Sequence, residues 1–176
     1  MSVLAFDPST GNSRTFGAEW KLSEKNKWSG GVLGFNEKIY CVPFDYDKIL
    51  LIEPGTDKIK MLKENYGSEQ GKWSGGVLGF DGKIYGVPYN SNNLLIFDPK
   101  TESSTLLEIP EQFKGKNKWN GGTIALDGRI YFIPYESKFI LVFNPYSNEF
   151  DGIPFEKSGT GSFVGGVMNM EGNVVF

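Results

Sequence analysis

Apolar and polar positions along the chain fall into short runs that recur. KIYCVPF from Lys38, KIYGVPY from Lys83 and RIYFIPY from Arg129 share one pattern, with a short NVVF counterpart from Asn173. KILLIEP from Lys48, NLLIFDP from Asn93 and FILVFNP from Phe139 share another, continuously apolar, as expected for strands covered on both faces. A more mixed run follows, such as STLLEIP from Ser104, and suits an outer edge. Each set is opened by an aromatic and paired glycines. These openings are KWSGGVLGF at 27–35 and again at 72–80, KWNGGTIAL at 118–126 and SFVGGVMNM at 162–170. No helical period of comparable strength competes, so the pattern predicts four short strands per unit.

The turns between these runs carry their own signals. Asp81-Gly82 and Asp127-Gly128 supply positive φ for a tight hairpin between the first two strands of a unit. Asn36-Glu37 departs from this, and Glu37 is expected to sit less comfortably in a left-handed conformation. Asp7-Pro8-Ser9-Thr10 and Asp98-Pro99-Lys100-Thr101 read as turns between third and fourth strands. The anchors Trp28, Trp73, Trp119 and Phe163 are spaced by 45, 46 and 44 residues, and four strands in such a period mark a propeller blade.

The repeat, GGxxxxDGKIYxxPY followed by a DPxT turn, resembles the kelch-like and related β-propeller families. The resemblance implies an all-β propeller in one domain over 1–176. Its units are about 27–71, 72–117 and 118–162, with a composite unit from 163–176 plus 1–26. The chain opens on a third strand (Val3–Phe6) and closes after a second (Phe176), so the two halves complement each other. The expectation is four blade equivalents, the composite one clasping the ring. One chain of four blades, two chains of eight, and part of a larger propeller are the three arrangements compatible with this count.

Composition narrows the chemistry. Lys plus Arg is 18 and Asp plus Glu is 21, a net charge of −3, which argues against a nucleic-acid partner. With no histidine, Ser-His-Asp and Cys-His nucleophiles and imidazole zinc sites are excluded. One cysteine excludes disulfide frameworks and CxxC sites. No metal and no cofactor is therefore expected. Met1–Arg14 lacks the basic and apolar regions of a secretory signal, and no run approaches the roughly 18 apolar residues of a spanning helix. The expectation is a soluble protein with no membrane partner, and the lone cysteine fits the cytoplasm.

The candidate binding residues come from the repeated openings and the loops after the second strands, which in a propeller share one face. They are Trp28 with Asp45, Tyr46 and Asp47; Trp73 with Tyr89, Asn90 and Asn92; and Trp119 with Asn120, Tyr135 and Glu136. Rings flanked by amides and carboxylates suit a sugar, whose apolar face stacks while its hydroxyls bond the polar groups. This layout resembles the tachylectin-type lectins, which implies one glycan site per blade. The alternative is that each Trp packs between blades, which Phe163 in the fourth unit favours. The paired glycines read as crowding of innermost strands, since no phosphate-loop pattern is present. Tyr40, Tyr85 and Tyr131 face away from their Ile neighbours and are expected to pack between blades with bonded hydroxyls. Cys41 reads as a buried, inert thiol, and Lys114, Lys116 and Lys118 as a solvated loop. The expected function is a non-enzymatic binding module, a scaffold for a protein partner on the loop-rich face. The alternative is a multivalent lectin, with a propeller-type hydrolase or lyase behind both.

Overall fold

A computed structural model of the chain describes residues 2–17, 26–156 and 163–176. It opens on an antiparallel hairpin, β1 (Val3–Asp7) with β2 (Asn12–Phe16). Three four-stranded antiparallel sheets follow. The first holds β3 (Trp28–Leu33), β4 (Ile39–Pro43), β5 (Leu50–Glu53) and β6 (Lys58–Met61). The second holds β7 (Trp73–Leu78), β8 (Ile84–Pro88), β9 (Asn93–Asp98) and β10 (Ser103–Glu108). In the third are β11 (Trp119–Ile124), β12 (Ile130–Pro134), β13 (Phe139–Asn144) and β14 (Glu149–Pro154). A last hairpin pairs β15 (Val167–Met168) with β16 (Val174–Val175). Strand order within each sheet follows the chain, so every sheet is a meander and β6, β10 and β14 are outer edges.

The first strands stand side by side, β3 against β7, β7 against β11 and β11 against β15. Gly30, Gly75 and Gly121 have φ of 73°, 87° and 82°. A Cβ added at Gly30 would lie 3.5 Å from the Gly75 Cα, and one at Gly75 would lie 3.8 Å from the Gly121 Cα. At Gly121 it would come within 2.8 Å of the Gly165 Cα. The backbone geometry favours glycine at all three positions, and at Gly121 a side chain would also collide. A register shift between Trp28 and Gly31, repeated in the next two sheets, swings each Trp away from this seam.

Third-strand rings close the gaps between neighbouring blades. Phe97 meets Tyr40 of the preceding blade at 5.2 Å, and Phe143 meets Tyr85 at 5.5 Å. The tyrosine hydroxyls stay bonded at the first hairpin. Asn36 Nδ2 donates to Tyr40 Oη at 2.9 Å, Tyr85 donates to Asp81 at 2.8 Å and Tyr131 to Asp127 at 3.2 Å. Tyr40 and Tyr85 therefore pack between blades as the alternation predicts, whereas Tyr131 keeps its bonded hydroxyl but stays half-buried. Cys41 is mostly enclosed, and burial pushes its thiol up to about 11, consistent with an inert group.

Two expectations need correction. The terminal strands do not form one composite sheet: β1–β2 and β15–β16 are separate sheets of two. Each is held by a different neighbour. Arg14 on β2 makes paired bonds to Asp57 at 2.9 and 2.8 Å, while the Gly165 amide beside β15 donates to Asn120 O at 3.0 Å. The basic run is not wholly solvated either, because Lys118 is only 3% exposed. Its ammonium donates to the carbonyls of Ser91, Gly115 and Tyr89 at 2.8, 2.9 and 3.0 Å, bridging the second and third blades. Lys72, one unit earlier, reaches the Glu69 carbonyl at 2.6 Å.

Glu37 adopts φ of 62°, where the matching hairpin positions are Gly82, Gly128 and Gly172 at 81°, 78° and 84°. Glu37→Gly relieves a left-handed side chain at some cost in unfolded-state entropy, for a net gain of about 1 kcal/mol. Thermal unfolding should show Tm raised by roughly 2–4 °C.

Burial, with the Lys116 charge adding, pulls the Lys118 ammonium down from 10.5 to about 7. The unfolded chain then binds more protons at this site between those values, so its contribution to stability rises with pH across that window. Urea unfolding from pH 7 to 10 should shift the stability difference between wild type and Lys118→Met in favour of wild type. A pH-independent difference would refute the assignment.

Candidate functional site

Each second strand ends on a proline followed by an aromatic: Phe44, Tyr89 and Tyr135. Their backbone amides donate to the carbonyls of Lys27, Lys72 and Lys118 at 2.9, 3.0 and 2.8 Å. That bond sets each ring beside the start of its own first strand, close to the axis. The rings form a row, with centroids 5.6 Å apart from Phe44 to Tyr89 and 5.7 Å from Tyr89 to Tyr135. Burial, then the neighbouring Tyr135 and Glu136, hold the Tyr89 phenol above its usual range. It is thus a neutral hydroxyl, able to donate and accept, at ordinary pH.

A polar row runs alongside the aromatic one. Ser29, Ser74 and Asn120 are the second residues of β3, β7 and β11. The Ser29 and Ser74 hydroxyls lie 3.2 Å apart, and Ser74 donates to Asn120 Oδ1 at 2.9 Å. The two rows line a pocket of about 480 Å³, which Asn26, Trp28 and Val164 complete. A larger hollow of about 890 Å³ adjoins it at Asn26, lined by Asp45, Tyr46, Asp47, Asn65 and Gln70 among others. There the Tyr46 ring leans on Trp28 at 5.0 Å. Asp45 accepts the Gly71 amide at 2.8 Å, and Asp47 accepts Asn65 Nδ2 at 2.6 Å. Both carboxylates thus have an oxygen engaged in holding the loops.

Of the residues expected to bind a ligand, Trp28, Tyr89, Asn120 and Tyr135 meet in the axial pocket, with Asp45 and Tyr46 in the adjoining hollow. Trp73 and Trp119 are a correction. They are 2% and 0% exposed, and their indoles donate to the carbonyls of Asn93 and Phe139 at 2.8 and 2.9 Å. Trp73 is further capped by Tyr66 edge-on at 5.5 Å, and Trp119 sits in one core cluster with Phe113. A ligand has no ring face left to stack on. Trp28 makes the equivalent bond to Lys48 O at 2.8 Å but stays half-buried.

Asn90, Asn92 and Glu136 serve the loops. Asn90 accepts the Asn117 amide at 2.9 Å and donates to Gln70 O at 3.1 Å. Asn92 accepts the Gly115 amide at 3.3 Å, and Glu136 accepts Asn117 Nδ2 at 3.2 Å. Sequence reasoning missed Phe44, Ser29 and Ser74. Their signal was positional: one residue after each repeated proline, and one after each repeated Trp.

No family model and no curated protein sequence matches the chain. Solved structures do. A catalytically inactive virginiamycin B lyase from Staphylococcus aureus, determined with quinupristin, superposes with a TM-score of 0.71 at 16% identity. The match covers 99% of this chain and 61% of that one. A streptogramin B lyase gives 0.70 at 14% identity, covering 99% and 60%. The extracellular domain of BT4673 from Bacteroides thetaiotaomicron gives 0.66 at 14%, covering 89% and 22%. The chain thus spans about three fifths of the lyases it matches. These neighbours are β-propellers, and the repeated four-stranded sheets arrayed about one axis show that this chain has the β-propeller fold.

Proposed function

We propose that the chain is a non-enzymatic binding module that holds a segment of a protein partner in the axial pocket. The observation that carries this reading is the pairing of the Phe44–Tyr89–Tyr135 row with the Ser29–Ser74–Asn120 row. Tyrosine offers a large rigid contact with a polar tip, the chemistry enriched where binding energy concentrates at protein interfaces. Hydroxyls and an amide beside it suit the backbone and polar side chains of an extended segment.

The chemistry present supports binding over catalysis. The lyase neighbour is described as catalytically inactive when one histidine is replaced by alanine, and this chain has no histidine at all. The carboxylates nearest the pocket already hold loop amides. A glycan is the second reading. It is favoured by the half-buried Trp28 with Tyr46 against it, beside a hollow rich in amide and carboxylate groups.

The test is a peptide array and a glycan array probed with labelled protein, each hit titrated by intrinsic fluorescence. Saturable peptide binding should weaken about 30-fold in Tyr89→Ala, the loss of ~2 kcal/mol typical of a central aromatic anchor. The far-ultraviolet dichroism of that variant should stay unchanged. Saturable binding to a sugar alone moves the glycan to first place. No binding by folded protein on either array refutes the module.

A further inference from the structure

The protons along the polar row decide what the axial pocket offers a ligand. A hydroxyl has one proton to donate. The Ser74 proton goes to Asn120 Oδ1 at 2.9 Å, so the 3.2 Å contact between Ser29 and Ser74 is donated by Ser29. The row therefore runs in one direction, Ser29 to Ser74 to Asn120, and both serine protons are engaged within it. Asn120 ends this relay. Its counterpart in the fourth unit is Val164, one residue after Phe163 as Asn120 is one after Trp119, and a valine side chain has no polar atom. The Gly165 amide beside it bonds the main-chain carbonyl of Asn120 at 3.0 Å, not the side chain.

Two donors are left over. The Asn120 Nδ2 group and the Tyr89 hydroxyl have no hydrogen-bond partner among the described residues, where no enclosed side-chain nitrogen or oxygen lacks one. Both groups therefore reach open space, and both residues line the axial pocket. The charge beside them is negative. Burial first, then Tyr135 and the Glu136 carboxylate, keep the Tyr89 proton in place. None of the described residues lining the pocket carries a charge. The Lys118 ammonium, which holds the Tyr89 carbonyl, has its three protons on backbone carbonyls and none for a ligand. A carboxylate would find donors here but no cation, with Glu136 alongside. A neutral carbonyl accepts the same bonds without that repulsion.

We infer that the axial pocket selects a neutral carbonyl of the partner segment, from a main-chain or side-chain amide, which accepts from Asn120 Nδ2 and Tyr89 Oη. This selection rests on the axial pocket being the binding site. A group without an acceptor leaves both donors unpaired, and an acidic group is repelled, so the site discriminates against both. At the first-blade end of the aromatic row, Phe44 has no polar tip and suits an apolar side chain of the same segment.

Three small probes test this, each with one phenyl ring and a different charge. At neutral pH N-acetyl-phenylalanine amide is neutral, N-acetyl-phenylalanine an anion and phenethylamine a cation. In a magnetic-resonance titration of the isotope-labelled full chain, the neutral probe should move the main-chain signals of Phe44, Tyr89 and Tyr135 and the side-chain amide signals of Asn120. It should bind at least about fivefold tighter than the anion. Tyr89→Phe keeps the ring, and Asn120→Asp keeps the acceptor for Ser74. Each should weaken the neutral probe about fivefold, the worth of one hydrogen bond, with dichroism unchanged. Asn120→Asp should also come to prefer phenethylamine, a reversal that lost packing does not produce. Equal binding of the anion, indifference to either variant, or an Asn120→Asp protein that still prefers the neutral probe overturns the carbonyl assignment, and the pocket reading survives if the three main-chain signals move. If none of the probes moves those signals, both are overturned.

Discussion

The architecture depends on how closely the first strands approach at the axis. Where β11 meets β15, no side chain fits at Gly121, because the neighbouring backbone already occupies the space of its Cβ. Positive φ at Gly30, Gly75 and Gly121 keeps these strands on paths that a side chain would strain. Everything bulky is displaced outward. The bulges after Trp73 and Trp119 turn their indoles into the gaps between blades, and third-strand rings fill the remaining space against the preceding tyrosine.

Displacement of bulk from the seam also makes the pocket. Near the start of each first strand the axis is lined by Ser29, Ser74 and Asn120, small or polar groups that bond to one another across blades. The aromatic after each second-strand proline is held over that row by a single backbone bond. Repetition thus builds a pocket without any blade carrying its complete lining. Each contributes one ring and one polar group, and the pocket exists only where neighbouring blades meet.

Inter-blade ties of unlike chemistry hold the arc in shape. At the outer turns they are exposed ion pairs, Arg14–Asp57 and Lys60–Glu102, each a small contribution in solvent. Near the axis the tie is Lys118, an enclosed ammonium bound by three backbone carbonyls. The burial that depresses its proton affinity also makes those carbonyl bonds matter, since few other partners are within reach.

Much of this was legible in the sequence. Period, strand number, hairpin turns and paired glycines follow from local rules: alternation, turn residues and the lack of a Cβ where backbones crowd. Even the strain at Glu37 could be read from its place opposite Gly82 and Gly128. Whether a repeated aromatic faces ligand or core could not. Trp73 and Trp28 sit in identical sequence over nine residues, yet one is enclosed and the other half open. Burial depends on what the neighbouring blade and linker place against a ring, not on the residues beside it in sequence. Lys118 looked like one of three solvated lysines for the same reason. The chain's own pattern determined its strands and their order; only the stacking of blades decided which side chains lost their access to water.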